Sequence, residues 1–95
     1  MASLTKRMYE RDYSLFLRAE AIEALKTTRG QQRRQISTFI DLLGTNPNMI
    51  GDYPEMDDNG RRLEIKVIGR FAITFWTDHA AKEIKVLDIR PADQA

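Results

Sequence analysis

The chain has 95 residues, enough for one domain with a single modest core, so a deep catalytic cavity is unfavourable and function should lie on a surface groove or face. Its 42% apolar and 31% charged residues are typical of a globular protein, and a formal charge of +1 gives no general attraction to nucleic acid. The absence of cysteine excludes disulfides, thiolate metal sites and a cysteine nucleophile, and a single histidine excludes any site that needs two imidazoles.

The N-terminal third of the chain predicts an arm, a strand and a helix. Residues 1–12 are polar and carry basic side chains, so we expect a loose arm there and a single domain over residues 13–95. Alternation from Tyr13 to Leu17 predicts a short strand. Strong helix formers from Arg18 to Thr28, with apolar side chains three and four apart, predict an amphipathic helix.

A second helix is predicted over about Gln31 to Leu43. Its apolar residues from Ile36 onward fall at i, i+3, i+4 and i+7, which places them on one helical face. Gly44 stands where a left-handed cap would end the helix, and Pro47 cannot continue it. Turn-forming residues from Thr45 to Gly60 then predict a long loop.

The last third predicts three strands. Apolar and charged residues alternate from Arg62 to Val67, a tight turn follows at Gly69, and strands are predicted over Phe71–Trp76 and Glu83–Ile89. We therefore expect an α+β fold with two N-terminal helices packed on one face of a small antiparallel β-sheet. The first strand would join the meander at an edge or at the centre.

This order of elements resembles the RelE/ParE toxin superfamily over Tyr13 to Arg90. Leu42 to Pro47 is similar to the segment that ends the second helix in this family, in which a leucine is followed after two or three residues by Asn-Pro. The hairpin from Glu64 to Trp76 also matches, and Val86 to Arg90 is similar to the family's last strand, which ends in arginine.

The resemblance implies the toxin of a bacterial type II toxin–antitoxin pair, held inactive by an antitoxin that lays helix and strand segments over its groove and sheet. RelE-like members cut messenger RNA on the ribosome, and ParE-like members poison DNA gyrase. Both activities stay open, because one fold serves both. A third alternative is a non-toxic or weakened relative that binds an antitoxin, and uncovered sheet edges would allow a homodimer.

Cleavage of RNA through the 2′-hydroxyl needs a base, an acid and cations around the phosphate. The candidate catalytic residues are Glu64, Lys66 and Arg90, with Glu64 or a neutral Lys66 as the base. Arg62 and Arg70 are the candidate ligands of RNA phosphate. Their convergence requires that the meander place all five on one side; otherwise they form the solvated face of a strand.

Two departures from the family weaken the nuclease prediction. The family commonly has arginine after the aromatic residue of the hairpin, whereas Ala72 follows Phe71. Family nucleases tend to carry tyrosine or histidine just past the last arginine, whereas residues 91–95 contain neither, so the usual general acid is missing. Trp76 remains a candidate contact with RNA, an antitoxin or a second copy.

The remaining polar features have simpler interpretations. His79 lies in a predicted turn and is typical of an exposed side chain, and the acidic stretch from Asp52 to Asp58 is typical of a solvated loop. We expect no metal and no cofactor. No apolar run approaches the roughly 18 residues of a membrane span, and no signal-peptide core is present, so we expect a cytoplasmic protein without membrane contact.

Overall fold

The computed structural model describes residues 13–94, so the predicted arm over residues 1–12 lies outside the described residues. Within that range, no helix has both the length and the apolar character needed to cross a membrane. The elements in chain order are β1 (Ser14–Leu17), α1 (Ala19–Thr27), α2 (Gly30–Thr45), β2 (Tyr53–Met56), β3 (Arg62–Ile68), β4 (Phe71–Asp78), β5 (Glu83–Pro91) and a 3₁₀ helix (Ala92–Gln94).

The five strands form a mixed sheet in the order β1-β5-β4-β3-β2, so the prediction of an antiparallel sheet is wrong. Strands β2 to β5 are antiparallel, but β1 pairs parallel with β5 at the edge. In this register Leu15 lies opposite Ile84 and Leu17 opposite Val86, so all four side chains face the helices. Parallel strands need a long crossover, which the helices and the rest of the sheet supply.

Two further boundaries differ from the sequence prediction. Helix α2 continues through Gly44 to Thr45 and ends at Asn46, whose amide and side chain bond to carbonyls of the last turn. Gly44 is therefore a helical residue and not a left-handed cap. The predicted loop contains β2, and all four residues of this edge strand are exposed.

The core lies between the helices and one face of the sheet, which we call the helix face. Phe75 is fully buried there and meets Phe39 of α2 edge-on, with 5.7 Å between ring centroids. Ile73 shares this core, and Phe71 packs against it. These three residues of β4 therefore lie under the helices. The opposite side of the sheet is the outer face.

Strand register decides which residues of β3 reach each face. Glu64 pairs with Phe75 and Lys66 with Ile73, so both charged side chains lie on the helix face. The apolar members of the alternation, including Ile65, therefore lie on the outer face, yet Ile65 is only 2% exposed. Within residues 13–94, both α-helices pack on the other face. On the outer face, the side chain of Arg90 extends across the sheet from β5 to Glu55 on β2.

Candidate functional site

The two faces of the sheet divide the five candidate site residues. Arg62, Glu64 and Lys66 alternate along β3 on the helix face. Arg90 pairs with Ala72, next to the core residue Ile73, and so lies on the outer face. Arg70 follows the far end of β3, about 20 Å from Arg62 at roughly 3.3 Å per residue. The five do not converge on one spot.

Glu64 is held as an ionised carboxylate. The backbone amide of Gly51 donates to its Oε1 at 2.9 Å, and Nε of Arg62 donates to its Oε2 at 2.9 Å. Burial raises the pKa of Glu64, but these two donors outweigh it and leave the pKa below its ordinary value. A group that holds its proton so weakly is a poor general base near neutral pH.

Lys66 is also engaged in the structure. Its Nζ lies 3.4 Å from Oδ1 of Asp52, whose other oxygen accepts from the amide of Val67 at 2.8 Å. The bond from Val67 and the charge of Lys66 lower the pKa of Asp52. Lys66 therefore has a structural partner that ties the segment before β2 to β3.

A pocket of about 310 Å³ opens on the helix face beside Arg62 and Glu64. The segment after α2 forms one wall, and the end of β4 with its following turn forms another. At its rim, Nδ1 of His79 lies 2.7 Å from the hydroxyl of Tyr13. The lining residues are Pro47, Asn48, Met49, Ile50, Arg62, Glu64, Trp76, Thr77 and His79.

On the outer face, Arg90 spans the sheet. Its terminal nitrogens lie 3.7 Å from Oε1 of Glu55 on β2 and 3.7 Å from Oδ2 of Asp88 on β5. Its buried Nε has no hydrogen-bond partner within the described part of the chain, and neither does the buried Oγ1 of Thr74 nearby. Two unpaired buried polar atoms so close together are unusual, because such groups normally bond to protein or water.

Trp76 lies between two cations on the same face. The guanidinium of Arg61 is 4.2 Å from the centre of the indole, and Nζ of Lys85 is 5.0 Å from it. Asp57 holds Arg61 in place, because Nε of Arg61 donates a hydrogen bond to Oδ2 of Asp57 at 2.8 Å. The backbone amide of Arg61 and its side chain lower the pKa of Asp57.

Sequence reasoning did not single out Arg61 or Lys85. Arg61 lies just before β3, two residues from Leu63, so the two side chains point to the same face. Only the β3–β4 register shows that Trp76 lies on this face. The alternation of β3 therefore assigns Arg61 to the same face as Leu63, but the sequence does not reveal the strand pairing that brings this face to Trp76.

Arg70 borders a separate pocket of about 580 Å³ at the end of the sheet, together with Phe71, Pro91 and Asp93. Its backbone amide is already bonded outside that pocket, because it donates a hydrogen bond to Oε1 of Gln32 at 3.2 Å. Arg70 is thus remote from both the helix-face pocket and the outer face.

This arrangement does not bring together the groups that acid–base catalysis would need. Across residues 13–94, Glu64 and Arg90 lie on opposite faces, and no group of three histidine, cysteine or carboxylate side chains forms a metal site. By contrast, the outer face combines an aromatic ring, several cations and acceptors, which suits binding of another macromolecule.

Comparison with known proteins defines the fold. No family model matches the chain, and no curated protein matches it. Among solved structures, the chain is similar to one from the archaeal RelE–RelB complex of Pyrococcus horikoshii OT3, with a TM-score of 0.71 and 19% sequence identity. The match covers 87% of this chain and 98% of that chain. The chain therefore has a RelE-like α+β fold, as the sequence resemblance predicted.

Proposed function

We propose that this protein is the toxin-type component of a toxin–antitoxin pair and that its primary activity is binding a partner protein. The main support is the similarity of fold, which extends over 98% of a chain solved as part of a RelE–RelB complex. The aligned residues therefore span almost the whole of that chain. The partner would be an antitoxin-like protein encoded beside this chain.

The outer face is the surface that we assign to this partner. Trp76 and Arg61 are the residue types that dominate binding energy at protein interfaces. Phe16, 48% exposed, lies in register with Lys85 and adds an exposed aromatic side chain on the edge strand β1.

Binding is better supported than RNA cleavage. A nuclease needs its base, acid and phosphate ligands around one reacting phosphate. Here the candidate base Glu64 is bonded on the helix face, and Arg90 is paired on the outer face. Ala72 occupies the central outer-face position where the resembled family commonly has arginine, which removes a cation from that face.

The test is induction of the chain in bacteria, alone and together with the protein encoded beside it. The proposal expects the two proteins to co-purify as a stoichiometric complex, and expects Trp76→Ala to weaken that complex. Arg33→Ala, an exposed substitution on α2, is the matched control and should leave it intact. Failure of the pair to associate would contradict the proposal.

The same cells separate the finer alternatives. New 5′ ends in messenger RNA at ribosome-occupied codons would identify cleavage, and their loss in Glu64→Ala or Arg90→Ala would assign the residues. DNA breaks with an SOS response would identify gyrase poisoning. Normal growth together with a stable complex would identify a non-toxic binding module.

A further inference from the structure

We propose that the helix-face pocket beside Arg62 and His79 binds a small phosphate monoester with an apolar or aromatic body. This site does not depend on the proposed partner binding, although Trp76 both lines the pocket and belongs to the surface assigned to the partner protein. The pocket combines a suitable shape with hydrogen-bond donors and an apolar wall.

The pocket is formed by chain segments that leave a space between them. After α2 ends, the chain passes over β3 and is fixed there by the bond from Gly51 to Glu64. Gly51 approaches the backbone of Ile65 so closely that a Cβ would lie 2.4 Å from its carbonyl oxygen. This contact fixes one wall against β3, and the volume of the open pocket, about 310 Å³, is at the lower end of the range of small-molecule sites.

Donors predominate among the polar groups of the lining. Arg62 uses only Nε, toward Glu64, so its two terminal nitrogens have no partner among residues 13–94. The hydroxyl of Thr77 is likewise unpaired there. In the tautomer in which the hydroxyl of Tyr13 donates to Nδ1 of His79, the proton of the ring is on Nε2, which is then the third donor of the lining.

The acidic residue in the lining does not make this a cation site. Both oxygens of Glu64 accept bonds, one from Gly51 and one from Arg62, and its side chain is only 16% exposed. The carboxylate and the guanidinium neutralise each other, and Glu64 serves to orient Arg62, whose side chain is 62% exposed. We therefore describe Glu64 as a positioning residue for the anion.

The donor set and the opposite wall define the ligand class. Donors from three separate residues suit the three free oxygens of a phosphate monoester better than the two oxygens of a carboxylate, and arginine binds phosphate with paired donors. Pro47, Met49 and Ile50 form the apolar wall, and Ile50 is 71% exposed at the mouth. That wall would cover the non-phosphate part of the ligand.

Nuclear magnetic resonance titration of the full chain with phenyl phosphate, inorganic phosphate and phenol tests the proposal. Phenyl phosphate should produce saturable shifts at the His79 ring and the Gly51 amide. Inorganic phosphate should bind more weakly, and phenol should not bind. Arg62→Gln should weaken phenyl phosphate binding by about tenfold or more, whereas Arg33→Gln, on the exposed surface of α2, should not.

A second variant keeps the test decisive if Arg62→Gln does not fold. Ile50→Ser changes an exposed side chain, and it should weaken phenyl phosphate while leaving inorganic phosphate unchanged. Absence of saturable shifts, equal binding of inorganic phosphate and phenyl phosphate, or full binding by Arg62→Gln would each overturn the proposal. Because partner association is measured separately, failure here would not contradict the proposed function.

Discussion

At the scale of single residues, the β3–β4 turn depends on one glutamine of α2. The side chain of Gln32 donates to the carbonyl of Ile68 at 3.2 Å and accepts from the amide of Arg70 at 3.2 Å. Gly69 lies between them with a φ of +60°, and a Cβ there would approach the amide of Gln32 to 2.5 Å. Glycine is therefore required for both its backbone conformation and the space that it leaves.

Gly69→Ala is expected to lower the free energy of unfolding by about 3–4 kcal/mol. Positive φ costs about 1–2 kcal/mol, and displacement of Gln32 loses two hydrogen bonds of about 1 kcal/mol each. Gly60→Ala is the matched control, because Gly60 has a φ of +78° with no atom near its Cβ position, so only the first cost applies. Urea unfolding measures both changes.

The double variant Gln32→Ala with Gly69→Ala separates the two causes. In the Gln32→Ala background, the substitution at Gly69 should cost only as much as Gly60→Ala, because the displaced side chain is already gone. An undiminished cost in that background would show that Gln32 is not the obstacle.

At the scale of elements, the β2–β3 ribbon is held by carboxylates that accept hydrogen bonds from backbone amides. Asp52 accepts from Val67, Asp57 accepts from Arg61 at 2.8 Å, and Glu64 accepts from Gly51. Each of these carboxylates has a pKa below its ordinary value, 3.8 for aspartate and 4.5 for glutamate. The ribbon thus depends on ionised groups along its whole length.

Stability is expected to fall when the solution is acidified below about pH 4.5. A group whose pKa is lowered by folding contributes its full stabilisation above the unfolded pKa and loses it as pH falls through that value and then through the folded one. Asp57→Asn should reduce the loss between neutral pH and about pH 3, measured as the shift in urea midpoint. Asp41→Asn, on the exposed side of α2, should leave the loss unchanged; equal losses in the two variants would contradict the assignment to Asp57.

The elements could be predicted from the sequence only where one side of each was buried. The apolar spacing of α2 and the alternation of β3 predicted both correctly. Strand β2 was missed because its four residues are all exposed and include Pro54, so no alternation marks it. The faces of β3 were hidden for a different reason, because only the β3–β4 register shows that Glu64 and Lys66 share a face with Phe75 and Ile73.

The candidate site was less predictable than the fold. A period of two correctly places Arg62, Glu64 and Lys66 together, because that depends on one strand alone. The relation of Arg90 to them depends on the β3–β4 and β4–β5 registers, and on a bulge in β5 near Leu87. Local patterns do not encode those registers.

At the scale of the whole molecule, the sheet has two different interiors. The helix face is covered by α1 and α2 and contains most of the buried apolar residues. On the outer face, Ile65 and Ala72 are also almost fully buried, although neither α-helix of residues 13–94 packs there. The first interior is enclosed by helices, whereas the second is crossed by the side chain of Arg90, which reaches Glu55.

Ile73→Ala and Ile65→Ala should therefore differ although both side chains are at most 2% exposed. Removing Ile73 leaves a cavity under the helices and is expected to cost about 2–5 kcal/mol. Ile65→Ala is expected to cost about 1 kcal/mol less, because neighbouring long side chains can close over the gap. Chemical denaturation of both variants gives the comparison, and equal costs would show that the two interiors are equally rigid.

The position of Trp76 has a practical consequence. It is the single tryptophan of the chain, so all indole fluorescence comes from one ring held between Arg61 and Lys85. Emission from that ring is sensitive to adjacent positive charge and to water, and it needs no added label. The molecule thus carries an intrinsic optical reporter at the centre of the surface where we expect another protein to dock.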